Sequence, residues 1–319
     1  MPRSDAEPRL VREVVTPFDV FEHELTVVHV AGRSEYQEYV IGENPAFGRI
    51  LALDGVVQST EADEFIYHEG IVQPAMLAVG APRRVLVLGG GEGATAREAL
   101  RYPGVEAVDM IDIDAEVVGA CREFLPRHHR GSFDDPRLTL RHTDAVAFLR
   151  DGASAPDKYD VVVSDMTDPV EDGPATFCFT REYFASVDAV LSDEGVVAVQ
   201  AGPLSPVEIA LHAKVIRTMA TVFPSVVPYS IDAPCYSRPL GFVIASRTPI
   251  EPRLAAARTA SLIDAIPGGM GWLSARALEG RLDPPPYLLR AIAAREDVYT
   301  DAAPPDTGHT AGWEPAEYA

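Results

Sequence analysis

Carboxylate side chains follow a series of apolar segments in this sequence, and they have the clearest potential for chemistry. One or two acids end each segment; they are Glu92, Asp112, Asp114, Asp144, Asp165 and Asp168. If the segments are parallel strands, their carboxyl ends lie at one edge of a sheet, and the acids converge on one cleft. We therefore expect a cleft that binds a cation.

The acid Glu92 lies inside the glycine turn of VLVLGGGEGATAREAL. Such a turn normally attracts phosphate, because free N–H groups and the helix dipole both favour anions. Gly89 and Gly91 fit the dinucleotide pattern GxGxxG/A, but Glu92 would repel a pyrophosphate. Asp112 follows Gly91 by about 20 residues, the spacing at which an acid binds ribose hydroxyls. These features favour a nucleoside without phosphates, while a tight turn with Glu92 stabilising the helix dipole remains the alternative.

A pair of acids, Asp165 and Asp168, follows the apolar segment of VVVSDMTDP. Paired carboxylates can accept a proton from an amine nucleophile and hold the charge of a second amine. The segment EFIYHE adds Tyr67 and His68, whose phenol and imidazole can orient an amine through hydrogen bonds. The alternatives are a helix N-cap for the acid pair and ordinary core positions for Tyr67 and His68.

The elements that position these residues alternate from residue 83 onward. Apolar strands and amphipathic helices follow one another in RRVLVLGGG, ATAREALRY, AVDMIDID, AEVVGACREFL, RLTLRHTDA and DKYDVVVSDM. This order predicts a doubly wound α/β domain whose parallel sheet is covered on both faces. The strands GVVAVQAG, SVVPYSID and LGFVIASR extend the sheet, and Gln200 and Tyr236 lie near their ends. Residues 12–60 alternate in short segments and predict an antiparallel β unit, with a helix after it.

Composition limits the partners and the compartment. The chain has 319 residues and a formal net charge of −21, which repels nucleic acid and anionic membranes. We expect a positively charged small-molecule partner; solubility or adaptation to salt is the other explanation of the charge. Cys121, Cys178 and Cys235 are scattered and odd in number, which argues against a disulfide framework or a zinc site. Without a signal-peptide core or an apolar run of membrane length, the cytoplasm is the expected compartment.

Several motifs together resemble the spermidine synthase family of polyamine aminopropyltransferases. They are LDGVVQSTEADEFIYHE, GGGEG, IDID, the DA at 144 and 145, DMTDPVEDGP and PCYSRPLGF, in one collinear order. GGGEGATAREAL, DPVEDGP and VQAGP are most similar to the thermospermine synthase branch, although that branch often lacks the tyrosine at Tyr236.

The resemblance implies an architecture and an assembly. It predicts a small N-terminal antiparallel β domain at 1–66 and a Rossmann-like, methyltransferase-type catalytic domain at 67–300. Independently of the resemblance, residues 301–319 are rich in proline and small residues, which predicts a disordered tail. It also implies a homodimer or homotetramer.

The resemblance further implies a reaction. The aminopropyl group of decarboxylated S-adenosylmethionine moves to an amine acceptor, giving a longer polyamine and methylthioadenosine. Displacement at a carbon beside a sulfonium requires no metal and no prosthetic group. Asp165, assisted by Tyr67, is the expected general base, because an alkylammonium with a pKa near 10 must lose a proton before it attacks.

Residue roles carry over by position. The residues implied for binding the nucleoside donor are Gln37, Gln58, Gly89, Gly91, Glu92, Asp112, Asp144, Ala145 and Pro174. The residues implied for holding the substrate amines are His68, Glu92, Asp165, Asp168, Gln200 and Tyr236.

Two other functions remain open. A methyltransferase that uses ordinary S-adenosylmethionine shares the core fold, although Glu92 would repel the methionine carboxylate. A non-catalytic polyamine-binding protein could keep the acidic cleft, although the joint presence of Asp165, Asp168 and Tyr67 favours catalysis. The acceptor is putrescine, agmatine, spermidine or a longer amine, since the channel length depends on the 168–180 loop and the surroundings of Tyr236.

Overall fold

The N-terminal part of the chain forms antiparallel β-structure. The computed structural model describes residues 9–152, 156–169 and 173–305. Its first strands are β1 (Arg9–Thr16), β2 (Asp19–Leu25), β3 (Val27–Arg33), β4 (Glu38–Asn44), β5 (Gly48–Leu53) and β6 (Val56–Thr60). Strands β1 and β2 pair as a hairpin, and β3 to β6 form a separate antiparallel sheet. The predicted antiparallel unit is therefore confirmed, divided into two sheets.

A larger mixed sheet forms the centre of the molecule. Its strands within the described residues are β7 (Arg84–Gly89), β8 (Ala107–Ile111), β9 (Leu138–Arg141), β10 (Tyr159–Asp165), β11 (Leu191–Pro203), β12 (Ser225–Ile231) and β13 (Leu240–Ser246). They lie in the order β12-β13-β11-β10-β7-β8-β9. The pairs from β11 to β9 are parallel, whereas β13 runs antiparallel to both of its neighbours. The predicted doubly wound α/β fold is confirmed.

Helices cover both faces of this sheet. They are α1 (Glu64–Val79), α2 (Ala94–Leu100), α3 (Ala115–Phe124), α4 (Pro126–His129), α5 (Ala145–Gly152), α6 (Arg181–Val190), α7 (Ile209–Met219), α8 (Ala256–Asp264), α9 (Ala275–Arg281) and α10 (Pro286–Ala293). Short 3-10 helices lie at Ser132–Asp134, Thr176–Phe179, Pro234–Tyr236 and Glu251–Leu254. In the described part of the chain, no helix combines the length and apolar character needed to cross a membrane.

Alternation along the central strands creates a core on each face of the sheet. Val85 and Val87 of β7 belong to the cluster that includes α1 and α2. Leu86 and Leu88 belong to the cluster on the opposite face, with α6 and α7. Because successive side chains point to opposite faces, a strand buried on both faces is apolar at every position. This arrangement leaves the strand ends as the place where polar side chains collect.

Two predicted segments extend beyond the described residues, and one helix crosses a predicted domain boundary. The tail predicted at 301–319 lies outside the described residues from position 306 onward, as do residues 170–172 of DMTDPVEDGP. Helix α1 continues across the predicted boundary between 66 and 67, and the proposed domain limits stay a prediction.

Candidate active site

The glycine turn after β7 packs directly against the end of β10. Gly89 has a φ of 80°, and a Cβ at this position would lie 2.2 Å from the backbone oxygen of Asp165. The N–H of Gly90 donates to that same oxygen at 3.1 Å. A side chain at position 89 would therefore separate the turn from β10, and glycine keeps the two acid-bearing strand ends together.

A cleft opens at the carboxyl ends of the parallel strands. Most of the predicted site residues line it: Gln37, Gln58, Tyr67, His68, Gly89, Gly91, Glu92, Asp112, Asp144, Ala145, Asp165 and Pro174. Leu51, Leu53 and Met166 add apolar walls that the sequence motifs did not indicate. The cleft thus combines convergent acids with apolar surface, as small-molecule sites commonly do.

Asp112 lies at one end of the cleft, directly after β8. Burial raises the pKa of its carboxyl to about 6, and the backbone N–H of Asp114 donates to Oδ1 at 2.9 Å. Asp114 itself does not line the cleft, in contrast to the expected convergence of every strand-end acid. Its side chain caps α3 through the N–H of Val117 and accepts hydrogen bonds from Ser34 and Gln37. Asp114 therefore fastens the N-terminal unit to the central domain.

The carboxylate of Asp165 is held by two hydroxyl groups. Tyr67 Oη donates to Oδ1 at 2.5 Å, and Thr95 Oγ1 donates to Oδ2. Burial raises the pKa of Asp165, while the charge of His68 and these hydrogen bonds oppose that effect. Thr95 lies in the first turn of α2, where the glycine turn places it. The sequence motifs did not single it out, although its position right after the GGGEG turn was the available signal.

His68 is enclosed between two carboxylates. Its Nδ1 lies 2.8 Å from Glu64 Oε2, and its Nε2 lies 2.7 Å from Glu92 Oε1. Ionised carboxylates only accept hydrogen bonds, so both ring nitrogens carry protons and the ring is an imidazolium. Although burial lowers it, the pKa of His68 rises to about 10 through Glu92 and Glu64.

Glu92 is consequently a paired carboxylate. Ser59 Oγ donates to its Oε2 at 2.7 Å, and the side chain is buried. Burial opposes ionisation, but the charge and hydrogen bond of His68 lower the pKa of Glu92.

On the other side of His68, Glu64 accepts hydrogen bonds from both terminal nitrogens of Arg97, each at 3.0 Å. Arg97, Glu64, His68 and Glu92 form a buried row of alternating charge that ends at the cleft. The spacing of Glu64 and His68, one helical turn apart in EFIYHE, could have indicated this pair.

Asp168, Gln200 and Tyr236 are not among the residues that line the cleft. Gln200 Nε2 donates to Asp168 Oδ1 at 2.8 Å, and Gln200 Oε1 has no hydrogen-bond partner among the described residues. The ring of Tyr236 packs 5.9 Å from that of Tyr67, and its hydroxyl donates to the backbone oxygen of Gln58 at 2.5 Å. Asp168 and the free amide oxygen of Gln200 offer acceptors suited to an ammonium.

Taken as chemistry, the site offers two acidic positions. One is the cleft lined by Asp112 and Asp165. The other is the Asp168 group. Within residues 9–152, 156–169 and 173–305, no group of His, Cys, Asp and Glu is arranged to hold a metal ion.

Sequence comparison identifies known relatives along most of the chain. Residues 64–252 match the spermine/spermidine synthase domain, and residues 13–61 match the spermidine synthase tetramerisation domain. A polyamine aminopropyltransferase of a Synechococcus strain is 45% identical over 303 residues, covering 92% of this chain and 96% of the relative. Polyamine aminopropyltransferase 2 of Pseudomonas aeruginosa is 43% identical over 231 residues, covering 72% of this chain and 65% of the relative.

Structural comparison agrees with these matches. A spermidine synthase crystallised with the transition-state analogue AdoDATO superposes with a TM-score of 0.82 at 26% identity, covering 92% of this chain and 98% of that chain. The spermidine synthase of Thermotoga maritima gives a TM-score of 0.81 at the same identity and coverage.

Proposed function

The chain belongs to the spermidine synthase family of polyamine aminopropyltransferases and is a transferase, and on this basis we propose its donor, its acceptor class and its general base. The donor is decarboxylated S-adenosylmethionine. The acceptor is an aliphatic amine of the putrescine, spermidine or agmatine class. The products are the aminopropylated amine and methylthioadenosine.

The proposed donor fits the cleft between Asp112 and Asp165. Asp112 would accept hydrogen bonds from the ribose hydroxyls, with Gln37 and Gln58 near the same part of the nucleoside. Asp144, Ala145 and Pro174 would surround the adenine. Glu92, whose two oxygens each keep a lone pair beyond the contacts with His68 and Ser59, would receive the aminopropyl ammonium. A spermidine synthase of this fold crystallised with the transition-state analogue AdoDATO supports the use of this fold for the transfer.

The chemical step is a direct displacement, and Asp165 is its proposed general base. The acceptor ammonium transfers a proton to Asp165, and the freed nitrogen lone pair attacks the aminopropyl carbon bonded to sulfur. The carbon–sulfur bond breaks with its electron pair remaining on sulfur, which leaves as a neutral thioether. Because the pKa of Asp165 is raised, it lies closer to the pKa of the ammonium, and the proton transfer is less unfavourable.

Alignment is the other contribution that we assign to the site. Tyr67 and Thr95 hold the two oxygens of Asp165, so the carboxylate has one orientation toward the cleft. Asp168 and Gln200 would hold the second nitrogen of the acceptor, and Tyr236 would pack along its methylene groups. Holding both reactants in line replaces an encounter in solution by an intramolecular step.

Assembly and acceptor length are part of the proposal. The match of residues 13–61 to a tetramerisation domain supports a homo-oligomer formed through the N-terminal unit. The likeness of several motifs to thermospermine synthases stays a prediction about acceptor length, which a panel of amines tests.

The observation that carries the proposal is the position of Asp165, bound by Tyr67 and Thr95 in the cleft that also holds Asp112. The test is incubation with decarboxylated S-adenosylmethionine and putrescine, agmatine or spermidine, followed by identification of the products by mass. We expect methylthioadenosine and an amine enlarged by one aminopropyl group. We expect Asp165→Asn to lower kcat by about 10²–10⁴-fold, the usual contribution of a general base.

Asp160→Asn is the matched control on the same strand. Its carboxylate accepts hydrogen bonds from the backbone of Arg83 and Arg84, away from the cleft, and an asparagine oxygen can still accept them. This variant should keep the wild-type rate. Full activity of Asp165→Asn would refute the assigned base. Transfer of a methyl group from S-adenosylmethionine, without aminopropyl transfer, would support the methyltransferase alternative instead.

A further inference from the structure

Arg238 is a cation enclosed by two acids that come from distant parts of the chain. Its Nη2 lies 2.5 Å from Glu13 Oε1, and its Nε lies 3.2 Å from Glu208 Oε1. The exposed fractions of the three side chains are 11%, 6% and 1% for Arg238, Glu13 and Glu208. Glu13 belongs to β1, Glu208 precedes α7, and Arg238 precedes β13. The fold therefore buries a triad of one cation and two acids that come from three distant segments.

This ion triad lies at the acceptor end of the site. Arg238 Nη1 donates to the backbone oxygen of Tyr236 at 3.3 Å, and the ring of Tyr236 packs against Tyr67. The charge of Arg238 also acts on Asp168: burial raises the pKa of Asp168, while the hydrogen bond from Gln200 and the charge of Arg238 oppose that effect. Arg238 is thus a cation close enough to Asp168 to act on its carboxylate.

Counting charges shows what Arg238 does to this end of the site. Asp168, Glu13 and Glu208 are three carboxyl groups, and among the described residues Arg238 is the cation whose charge acts on them. Burial raises the pKa of Glu208, and the charge of Arg238 opposes that effect. Without the guanidinium, Glu13 and Glu208 could receive a further ammonium beyond Asp168, because buried carboxylates require a cationic partner. With the guanidinium present, Glu13 accepts a hydrogen bond from it and Glu208 lies within ion-pair distance of it. An ammonium that extends past Asp168 then meets a cation instead of free acids.

The acceptor classes differ in the number of ammonium groups that must be placed. A diamine needs one position for the attacking nitrogen, at Asp165, and one for the second nitrogen, at Asp168. A triamine carries a third charge, which continues along the chain beyond Asp168. Like charges brought together in a poorly solvated site repel each other strongly.

From this arrangement, and resting on the proposed aminopropyl transfer, we infer that Arg238 determines acceptor specificity. Its guanidinium takes the place of a third ammonium group and selects diamines over triamines and longer amines. Arg238 binds Glu13 and Glu208 and acts on the acceptor through charge and space, without taking part in the chemical step.

The test compares kcat/KM for putrescine and for spermidine, with decarboxylated S-adenosylmethionine as donor. Wild-type protein should prefer putrescine. Arg238→Met keeps most of the side-chain volume and removes the charge, so Glu13 and Glu208 become available. We expect the spermidine-to-putrescine ratio of kcat/KM to rise by about tenfold, which corresponds to about 1.4 kcal/mol. The KM for the donor should stay unchanged, because the triad lies outside the donor cleft.

Three further variants make the result decisive. Arg238→Lys keeps a cation at this position and should keep the wild-type ratio. The double variant Arg238→Met with Glu13→Gln also removes one of the two acids left without a cation, and it serves where the single variant does not fold. Because Glu208 remains, the double variant should keep part of the rise in the spermidine-to-putrescine ratio of kcat/KM. Arg247→Met removes a different arginine–carboxylate pair, between Arg247 and Asp188 at 2.8 Å, and should leave the ratio unchanged.

The outcomes separate this inference from the proposed function. A wild-type preference for spermidine, or an unchanged ratio in folded variants that lack the cation, would overturn the role of Arg238 while aminopropyl transfer stands. An equal shift in Arg238→Lys and Arg238→Met would overturn the charge argument in the same way. Absence of aminopropyl transfer by folded wild-type protein that binds methylthioadenosine would overturn the proposed function, and this inference with it. Thermal unfolding establishes which variants are folded.

Discussion

Replacing His68 by glutamine would test the buried charge row at its centre. In the native protein the imidazolium donates to Glu64 through Nδ1 and to Glu92 through Nε2. Glutamine has similar length but no charge, and its amide can donate to only one of the two acids at a time. Glu64 would keep Arg97 as a partner, whereas Glu92 would keep only the hydroxyl of Ser59. A buried carboxylate would thus lose its cation.

The expected cost follows from the pKa of His68 and from measured losses in buried ion pairs. The pKa of His68 rises from 6.5 to about 10 on folding. At about 1.4 kcal/mol for each pKa unit, the upper limit of its contribution to the free energy of unfolding is about 5 kcal/mol. Removing one member of a buried pair typically costs about 3–5 kcal/mol. We expect His68→Gln to lower the free energy of unfolding by about 3–5 kcal/mol at pH 6.

The pH dependence has a defined sign. Because the pKa of His68 is higher in the folded state, its contribution is fully present below pH 6.5 and is lost as the pH rises through about 10. The difference in unfolding free energy between wild type and His68→Gln should therefore shrink by up to about 1.4 kcal/mol per pH unit across this window. Urea denaturation at fixed protein concentration, from pH 6 to pH 10, measures this difference.

His29→Gln provides the matched control for this experiment. His29 Nε2 also lies 2.8 Å from a carboxylate, that of Glu43, but the pair is partly exposed. Such pairs contribute about 0–1 kcal/mol, so the control should change stability little. A difference for His68→Gln that stays constant between pH 6.5 and 10 would refute the imidazolium, because a neutral ring loses no proton in that range.

Two further predictions concern donor recognition. Glu92→Gln should weaken the binding of decarboxylated S-adenosylmethionine by about ten- to a hundredfold, as expected for a lost charge-assisted hydrogen bond. The variant should also discriminate less against S-adenosylmethionine. Unchanged selectivity in side-by-side calorimetric titrations would contradict this prediction. Since burial raises the pKa of Asp112 to about 6, protonation of this carboxylate below pH 6 should weaken methylthioadenosine binding. A dissociation constant that does not change between pH 8 and pH 5 would argue against ribose recognition by Asp112.

The sequence was informative wherever a residue's role follows from its place on a strand or in a turn. The period of the apolar segments predicts the doubly wound sheet, and the sheet brings Glu92, Asp112 and Asp165 to one cleft. The same reasoning failed for Asp114, whose carboxylate caps α3 and holds Ser34 and Gln37. An acid at a strand end can face the cleft or the following helix, and the local sequence does not distinguish the two.

Contacts between distant segments could not be read from the sequence. Thr95 reaches Asp165 across two neighbouring strands, and Glu92 is paired with His68 rather than free in the turn. The charge state of His68 depends on two acids that approach from either side. Electrostatic effects fall with distance and grow with burial, and both quantities are set by the packing of the whole domain.

By itself, the sequence determined the order of strands and helices, the glycine turn and the acids that end the strands, because periodicity and backbone preferences are local. The tertiary structure alone decided the partners of those acids. It placed Asp168 and Gln200 in a group apart from the donor cleft, and it brought Glu13 of the first strand to Arg238 near the last. Charge pairing depends on distances through space, and only the folded chain fixes them.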